Sequence, residues 1–372
     1  MGQEILSLEK VDFSNAVDRV VDALAHGKLL VLPTETVYGL GTLASNADAV
    51  ARLCFEKERR HGHALPLAVA DGAMAEEYAS DLPPIAKRLA LKLWPGPLTL
   101  VVNASNSSGK IRSFSEGALK AIMPQNTCGF RAPQNDFLLS TIRKLGEPIV
   151  LTSANITGRP PATNVREAIA SLGGRVDLFV DGGSSIYGKP STVAKIDGKN
   201  ISLLREGEFT LKQLQSAAIK TILFVCTANI CRSQMAEALA QKIIAEKIGT
   251  TPDQLEAHGY RVISAGVFAS DNHPASPLVS AALKEMFGFS IDGRRSKRTT
   301  SEMVASSDWV FTMEKAHCDL LSQMYPHCAS RITTLNPQGY DVADPWGYKE
   351  NAYRACASEI ESLIRARLGL IL

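Results

Sequence analysis

The feature that most constrains the fold is a cysteine placed between a strand and a helix. An apolar run, Thr221–Val225, predicts a buried strand, and apolar side chains recur at helical spacing from Gln234 onward. The connecting loop begins at Cys226 and ends at Arg232 and Ser233. A strand that delivers its loop to a helix N-terminus is typical of parallel α/β sheets, which bind ligands at the carboxyl ends of their strands.

The residue types of this loop favour phosphate chemistry. A helix N-terminus and the guanidinium of Arg232 both stabilise a thiolate on Cys226. The same groups can hold a phosphate, with Arg232 binding two of its oxygens at once. Between these two residues lies a predicted phosphate-binding loop whose backbone N–H groups can turn inward around an anion: Thr227, Ala228, Asn229, Ile230 and Cys231.

A cysteine nucleophile needs an acid that protonates the leaving oxygen. Asp344 is the candidate, because Pro345 fixes the turn after it and Trp346 can shield its carboxyl group. An Asp-Pro pair alone is an ordinary turn sequence, and it gains its meaning here from the cysteine loop.

Strands and helices alternate through the rest of this region. Further strands are predicted at 261–264, 308–313 and 331–335, with helices at 276–287 and 349–368. The spacing predicts a flavodoxin-like, parallel four-stranded sheet flanked by helices.

The chain has 372 residues, which is long for a single domain. We predict one α/β domain over 1–212, a linker over 213–218 and a second α/β domain over 219–372. Residues 1–215 carry 24 basic and 22 acidic side chains, and the remainder carries 16 of each. Neither half is basic enough to indicate nucleic-acid binding from charge alone.

Local patterns predict the first elements of the N-terminal region. Apolar spacing indicates a helix over 13–25, and Asn46 can cap the next helix. Residues 98–102 predict a strand, and 103–120, rich in Asn, Ser and Gly, predict a mobile loop. Pro33–Gly41 reads either as a ligand loop or as a tight strand-to-helix turn.

Four loops of this region place polar groups at the ends of apolar strands. They are Pro33–Gly41, Thr152–Gly158, Gly188–Val193 and Leu203–Gly207. Loops of this kind cluster at one edge of an open α/β sheet and form its ligand site.

These loops, with Lys57, Arg59, Trp94–Thr99 and Arg131-Ala132-Pro133, resemble the YrdC-like domain of threonylcarbamoyl-adenylate synthases over about residues 10–210. The resemblance implies a twisted α/β sheet and the joining of L-threonine, bicarbonate and ATP, with Mg²⁺, into threonylcarbamoyl-AMP for a tRNA modification. It implies that phosphates and the carbamoyl group are held by Lys57, Arg59, Ser153 and Asn155. The threonine and ATP cavity would be lined by Thr34, Arg131, Ser191, Thr192 and Arg205.

One departure from that family concerns the turn after the Lys-x-Arg pair. The family usually has Pro directly after the pair, whereas Arg60 stands here and Pro66-Leu67 arrives about two residues late. An alternative is therefore that this half is a non-catalytic nucleotide- or RNA-binding module, including one for double-stranded RNA. Its near-neutral charge and the lack of interleaved basic and aromatic residues count against that reading.

From Lys220 onward the chain resembles the low-molecular-weight protein-tyrosine phosphatases. The carriers are Cys226–Ser233, Ser264-Ala265-Gly266, Arg295–Arg298, His317 and Asp344-Pro345. The resemblance implies that Cys226 attacks phosphorus, Arg232 and the loop hold the phosphate, Ser233 assists the thiolate, and Asp344 protonates the leaving group and then activates water. No metal or cofactor is implied. Cys231 could protect the nucleophile from over-oxidation by forming a disulfide with it.

The loop departs from the family at Ala228, where Gly is usual, and at Gln234, where Pro often follows the serine. An alanine with positive φ at 228 would cost about 1 kcal/mol. Ile230 is the residue of tyrosine-specific members, while arginine phosphatases carry Thr there, so we expect phosphotyrosine in a protein or a small aryl phosphate. Phosphoarginine is the alternative, because Trp346 and the following glycine resemble the bacterial arginine-type acid loop. An arsenate reductase is disfavoured, because Cys318 and Cys328 are wrongly spaced for its redox pair.

Seven cysteines without a CxxC pair indicate reduced thiols, and we expect a soluble, cytoplasmic protein. Residues 1–10 lack a signal-peptide pattern, and no apolar run predicts a membrane span. The tRNA-modification machinery is an expected partner. The basic cluster of Arg294, Arg295, Lys297 and Arg298 reads as a solvated face, with attraction of an anionic substrate as the second reading.

Overall fold

The computed structural model describes residues 4–58, 64–105 and 107–372. The chain divides into two compact units, one ending at Ala218 and the other comprising Ile219–Leu372. None of the described helices is long and apolar enough to cross a bilayer.

The first unit is built on a mixed sheet in the order β1-β8-β2-β3-β7-β4-β6-β5-β9-β10. Its strands are β1 (Ile5–Ser7), β2 (Leu30–Leu32), β3 (Gly39–Leu43), β4 (Leu67–Ala68), β5 (Leu98–Asn103), β6 (Thr127–Arg131), β7 (Ile149–Ser153), β8 (Leu178–Asp181), β9 (Thr192–Asp197) and β10 (Asn200–Arg205). Its helices are α1 (Phe13–Ala25), α2 (Ala47–Glu56), α3 (Gly72–Tyr78), α4 (Pro84–Leu93), α5 (Glu116–Ile122), α6 (Asp136–Leu145), α7 (Val165–Leu172) and α8 (Leu211–Ala218).

Both faces of this sheet are buried, as the alternation along β2 shows. Val31 belongs to a cluster that contains Leu53 of α2, whereas Leu30 and Leu32 belong to a second cluster that contains Leu24 of α1. Successive residues of a strand point to opposite faces, so each face has its own core and its own covering helices. This explains why the strands read as continuous apolar runs.

Several local predictions are confirmed. Helix α1 spans Phe13–Ala25 as expected, with Asp12 as its cap. Asn46 caps α2 by accepting a hydrogen bond from the backbone N–H of Ala49 at 3.0 Å.

Of the two readings of Pro33–Gly41, the strand-to-helix turn is wrong, because β3 begins at Gly39 and pairs antiparallel with β2. Glycine at position 39 lets Leu151 approach closely, since a Cβ there would lie 2.6 Å from Leu151 Cδ1. A strand with two glycines lacks the apolar pattern that identifies strands in the sequence.

The mobile loop expected over 103–120 is also wrong. Residues Lys110–Ser113 form a 3₁₀ turn and α5 begins at Glu116, where the Ser115 hydroxyl accepts a hydrogen bond from Ala118 N. Burial of Ile111 and Ile122 fixes the segment, although its composition is polar.

Residues 213–218, expected to be a linker, complete helix α8. The helix buries Leu214 fully and contacts α4. One apolar side chain on a short polar helix is a weak sequence signal, yet it suffices to hold the segment against the first unit.

The second unit is an all-parallel sheet flanked by helices, in the order β12-β11-β13-β14, as predicted. Its strands are β11 (Lys220–Cys226), β12 (Tyr260–Gly266), β13 (Trp309–Thr312) and β14 (Ile332–Thr334). Its helices are α9 (Arg232–Ile248), α10 (Pro277–Phe287), α11 (Ser301–Ser306), α12 (Lys315–Met324) and α13 (Glu350–Ile371).

The central strand β11 supplies both cores of the second unit. Ile222 and Phe224 join the cluster that contains α9 and α13, and Leu223 and Val225 join a smaller cluster on the other face. Burial on both sides fixes the register of β11 and therefore the position of Cys226 at its carboxyl end.

Candidate active sites

Cys226 lies at the point where β11 passes into the loop before α9. Its side chain is buried, its Sγ lies 3.0 Å from Ser233 Oγ, and it accepts a hydrogen bond from the backbone N–H of Asn229 at 3.2 Å. These two contacts fix the position of the sulfur, and a cysteine attacks as its thiolate.

Asn229 organises the loop around the sulfur. Its φ is 53°, the left-handed conformation that asparagine tolerates better than most residues. Its side-chain Nδ2 donates to Ser233 Oγ at 2.8 Å and to Ser264 Oγ at 2.9 Å, while its Oδ1 accepts from the backbone N–H of Lys297 at 2.8 Å. The buried side-chain amide of Asn229 therefore holds the loop in place.

The departure at Ala228 carries no backbone penalty, because the positive φ falls on Asn229 and not on Ala228. The departure at Gln234 has a structural role that sequence reasoning missed. Its Nε2 donates to the backbone oxygen of Asn229 at 2.7 Å, and its side chain is buried. A hydrogen bond thus fixes the loop at the place where the family often has proline.

Arg232 is held by three acceptors and is almost fully buried. Its Nη1 donates to Glu314 Oε1 at 2.5 Å and to the backbone oxygen of Val342 at 3.0 Å, and its Nη2 donates to Asp344 Oδ2 at 2.6 Å. Glu314 was missed in the sequence. Its only signal is its position just beyond the carboxyl end of β13, the edge where a parallel sheet collects its functional groups.

The acid candidate reaches the same site. Asp344 Oδ1 accepts a hydrogen bond from the backbone N–H of Trp346 at 3.1 Å, and the Asp344 side chain is 46% exposed. A pocket of about 360 Å³ opens above the loop. It is lined by Cys226, Thr227, Ala228, Ile230, Cys231, Arg232, Asp344 and Trp346. The predicted nucleophile, arginine and acid therefore share one pocket, with Ser233 behind the sulfur.

Two further groups border this pocket. His317 Nε2 lies 3.0 Å from Thr227 Oγ1, and burial lowers the pKa of His317, against the opposing effect of Glu314. Burial raises the pKa of Cys231 to about 11, so this second loop cysteine is a neutral thiol at physiological pH.

The first unit contains a cavity of about 490 Å³ at the ends of its strands. Seven of the nine predicted ligand residues line it: Thr34, Lys57, Arg131, Ser153, Asn155, Ser191 and Arg205. Thr192 is not among the lining residues, and its hydroxyl accepts a hydrogen bond from the backbone N–H of Phe209 at 2.8 Å. Arg59, like Arg60 and the altered turn, lies outside the described residues.

Lys57 lies just beyond the C-terminus of α2 and is buried at the base of this cavity. Its Nζ donates to the backbone oxygens of Ser153 at 2.6 Å and Asn155 at 2.9 Å, and it lies 3.2 Å from Asn155 Oδ1. The ammonium group thus shapes the loop that follows β7 and adds a positive charge beneath it.

Arg131 is oriented by Glu35, a residue to which the sequence analysis gave no role. Its Nη2 lies 2.7 Å from Glu35 Oε1 and donates to Thr36 Oγ1 at 3.0 Å, and its Nε donates to Gly96 O at 3.2 Å. The Glu35 side chain is fully buried, so this ion pair is shielded from water.

Arg205 is the last residue of β10 and also lines the cavity. It donates to the backbone oxygen of Ser191 at 3.0 Å and to Ser191 Oγ at 3.1 Å, and this hydroxyl lies 3.0 Å from Thr99 Oγ1. The pKa of Arg205 is lowered, first by burial and then by the charge of Arg131. Two guanidinium groups that repel each other across a cavity create a position suited to an anion.

Comparison with known families agrees with this division. The Sua5/YciO/YrdC family model, described as "Telomere recombination", matches residues 22–207, and the "Low molecular weight phosphotyrosine protein phosphatase" model matches residues 221–369. The chain belongs to the first of these families, and its residues 221–369 match the model of the second. Both are families of enzymes, and the predicted identity of the two regions is confirmed.

Several curated relatives share the first region. Threonylcarbamoyl-AMP synthases of Pyrococcus abyssi and Bacillus subtilis are each 33% identical over 52% of this chain, and the chain spans about half, 54%, of their length. A threonylcarbamoyl-AMP synthase of Vibrio cholerae is 30% identical over 51% of this chain and 97% of its own.

One solved structure has a fold similar to part of this chain, and a second is similar in sequence to a shorter part. The structure of P. abyssi Sua5 complexed with L-threonine is 21% identical, with a TM-score of 0.52, over 71% of this chain and 92% of its own. The YwlE arginine phosphatase from Geobacillus stearothermophilus is 34% identical over 41% of this chain and 92% of its own, with a TM-score of 0.35.

Proposed function

We propose that the chain carries two enzymes. The first unit forms threonylcarbamoyl-AMP from L-threonine, bicarbonate and ATP, and so supplies the threonylcarbamoyl group for tRNA modification. The observation that carries this proposal is the pair of opposed guanidinium groups, Arg131 and Arg205, in a cavity that also contains the Lys57 ammonium group.

The charges suit the reaction. A carboxylate and a triphosphate must approach each other, and the cations of this cavity offset their mutual repulsion. The buried Lys57 does so more strongly than an exposed cation would. Arg131 and Arg205 would hold the threonine carboxylate or an adjacent anion. Lys57, Ser153 and Asn155 would form the side of the cavity facing the phosphates and the carbamoyl group, and Arg59 would join them.

Mg²⁺ fits this scheme as a part of the substrate. Among the described residues, no group of three or more His, Cys, Asp or Glu side chains is placed to hold a metal ion. The cation would therefore be carried by the ATP phosphates, which the cavity receives as a complex.

The test is the release of pyrophosphate from MgATP by the purified chain. We expect release that requires both L-threonine and bicarbonate. Release without threonine would indicate a different adenylating enzyme. No release from a folded protein that still binds ATP would reduce the first unit to the non-catalytic nucleotide- or RNA-binding module, and binding of double-stranded RNA stays a prediction.

The second unit is proposed to hydrolyse phosphate monoesters through a cysteinyl-phosphate. The Cys226 sulfur attacks phosphorus, a sulfur–phosphorus bond forms and the ester bond breaks, while Asp344 gives its proton to the leaving oxygen. Asp344 then takes a proton from the water whose oxygen bonds to phosphorus, the sulfur–phosphorus bond breaks, and inorganic phosphate leaves with the Cys226 thiolate regenerated. The supporting observation is the convergence of Cys226, Arg232 and Asp344 in one pocket.

The lining of the pocket favours an aromatic substrate. Ile230 and Trp346 provide apolar surface on the sides of the pocket, which suits the ring of phosphotyrosine. Phosphoarginine is the second candidate, favoured by the partly exposed Asp344 carboxylate, which could pair with a guanidinium group.

Hydrolysis of two peptides that differ only in the phosphorylated residue decides between these substrates. We expect faster release of phosphate from the phosphotyrosine peptide than from the phosphoarginine peptide. The reverse order would assign the unit to arginine, and no release from either peptide or from para-nitrophenyl phosphate would refute the phosphatase proposal.

A further inference from the structure

A strip of three exposed cations lies beside the cysteine loop and has no role in the chemistry above. Arg295, Lys297 and Arg298 are all exposed. Among the described residues no ion pair is formed by these three side chains. Arg295 donates a 3.4 Å hydrogen bond to the Asn272 backbone oxygen, and the Asp271 carboxylate accepts from the Arg298 backbone N–H at 2.6 Å. We call these three residues the basic strip.

The basic strip is rigidly attached to the nucleophile loop. The backbone N–H of Lys297 donates to Asn229 Oδ1 at 2.8 Å, and its backbone oxygen accepts from Gly266 N at 2.9 Å. Gly266 itself touches the loop, since a Cβ there would lie 2.6 Å from Thr227 O. The backbone that carries these cations is therefore hydrogen-bonded to Asn229, whose own N–H contacts the Cys226 sulfur.

The segment is also held in an extended form that presents its charges to solvent. Arg295 forms an antiparallel bridge with Pro274 and Arg298 a parallel bridge with Gly266. Between them the buried Ser296 donates to the Ser270 backbone oxygen at 2.6 Å and faces inward. Three cations fixed on a rigid segment, with no ion pair among the described residues and a single neighbouring carboxylate at Asp271, are suited to an anionic partner rather than to stabilisation of the fold.

We propose that the basic strip binds acidic residues that flank the phosphorylated residue of a protein substrate. This inference rests on the proposed phosphatase function of the same unit. An extended peptide whose phosphate occupies the Cys226 pocket would lay neighbouring carboxylates against the strip. Exposed pairs of this kind contribute little individually, and three together raise kcat/KM by about tenfold at low salt.

The test compares two phosphotyrosine peptides, one with Glu and Asp around the phosphorylated residue and one with Gln and Asn in their place. The full-length protein is compared with the triple variant Arg295→Gln, Lys297→Gln, Arg298→Gln. A matched control, Lys247→Gln, Lys284→Gln, Arg365→Gln, removes the same charge from exposed positions of α9, α10 and α13. Hydrolysis of para-nitrophenyl phosphate, which has no flanking residues, reports whether each variant is folded at its pocket.

We expect the full-length protein and the control to prefer the acidic peptide by about tenfold in kcat/KM, and the strip variant to lose most of that preference. The preference should also shrink between about 0.05 M and 0.5 M salt, because exposed charges are screened. Equal rates for the two peptides, or the same loss in the control, would overturn the inference while the phosphatase stands. No hydrolysis of either peptide by the full-length protein would overturn both. Loss of RNA-oligomer binding in the strip variant, with an unchanged peptide preference, would assign the strip to nucleic acid and overturn the inference as well.

Discussion

The two sites of this chain are built in opposite ways. The proposed phosphatase site is concentrated, because Cys226–Ser233 contains the proposed nucleophile, the proposed phosphate-binding amides and the arginine within one strand–loop–helix connection. The cavity of the first unit is dispersed, because Lys57, Arg131, Ser153 and Arg205 come from four different places in the sequence. One site depends on a single local conformation, and the other depends on the whole sheet.

The difference extends to how each site holds its charges. In the concentrated site Arg232 is bound by Glu314 and Asp344, so its charge is already balanced. In the dispersed site Arg205 hydrogen-bonds neutral oxygens of Ser191 and lies in the repulsive field of Arg131. We infer that the concentrated site depends mainly on its local geometry, whereas the dispersed site gains most from the charge that a substrate brings.

The largest effect is expected in the concentrated site. Cys226→Ser should lower kcat for para-nitrophenyl phosphate by about 10⁴-fold or more, because serine is far less nucleophilic and the second pocket thiol, Cys231, has a pKa raised to about 11 and stays protonated. Stopped assays of phosphate release measure this loss. Cys318→Ser is the matched control, since that thiol lies on α12 and bonds to Ile332 O at 3.6 Å. Hydrolysis by the Cys226 variant at a rate comparable to that of the unchanged protein would contradict the proposal that Cys226 is the nucleophile.

A smaller, graded loss is expected in the dispersed site. Arg205→Gln should lower kcat/KM for threonine-dependent pyrophosphate release by about 10²-fold, because one of several anion-binding groups is removed. Arg205 is preferable to Arg131 for this test, since removing Arg131 would leave the buried Glu35 unpaired and mix folding with binding.

The control for Arg205 is Arg19→Gln, which breaks only the exposed ion pair of Arg19 with Glu4 at 2.8 Å. A loss of 10⁴-fold or more in the Arg205 variant would show that the dispersed site, too, depends on one residue. An unchanged rate would place the anion elsewhere in the cavity.

The contrast also explains how far the sequence could predict each site. The concentrated site is contiguous, so residue types and spacing alone identified the nucleophile loop, and the alternation of strands and helices predicted the parallel sheet around it. Glu314 could not be found in this way, because a single carboxylate after a strand is common. The role of Gln234 depends on a distance to the Asn229 backbone that local patterns do not encode.

In the dispersed site the sequence located loops better than side-chain directions. Ser191 and Thr192 are neighbours and both were predicted to line the cavity, yet strand alternation allows only one of them to face it. β9 begins at Thr192, so Ser191 and Val193 line the cavity and Thr192 points to the other side. Strand β3 was missed for a related reason, since its glycines are chosen for close packing and not for strand propensity.

A stability effect should follow from the loop hydrogen bond of Gln234. Gln234→Leu leaves the backbone oxygen of Asn229 without its donor in a buried site, and this should lower the free energy of unfolding of the second unit by about 1–2 kcal/mol. Denaturant unfolding followed by circular dichroism measures the change. Gln254→Leu, at an exposed position, should shift it by less than about 0.5 kcal/mol. Equal shifts in the two variants would show that the loop does not depend on this bond.

The smallest expected effect is a pH dependence of the free energy of unfolding of the second unit. The pKa of His317 is lowered by burial, so its imidazole binds a proton more readily in the unfolded chain than in the folded one. Falling pH through the unfolded value, near 6.5, therefore favours unfolding, and the free energy of unfolding of the second unit should decrease in that range.

His317→Gln removes this titrating group and should make the unfolding free energy of the second unit less dependent on pH between about 7 and 5. His258→Gln, at an exposed position of the same unit, serves as the control for the loss of a histidine. His317 Nε2 lies 3.0 Å from Thr227 Oγ1. Protonation of His317 would therefore place a positive charge beside the loop of the concentrated site. An unchanged pH dependence in the His317 variant would mean that the carboxylates around it, Glu314 and Asp341, compensate for its burial.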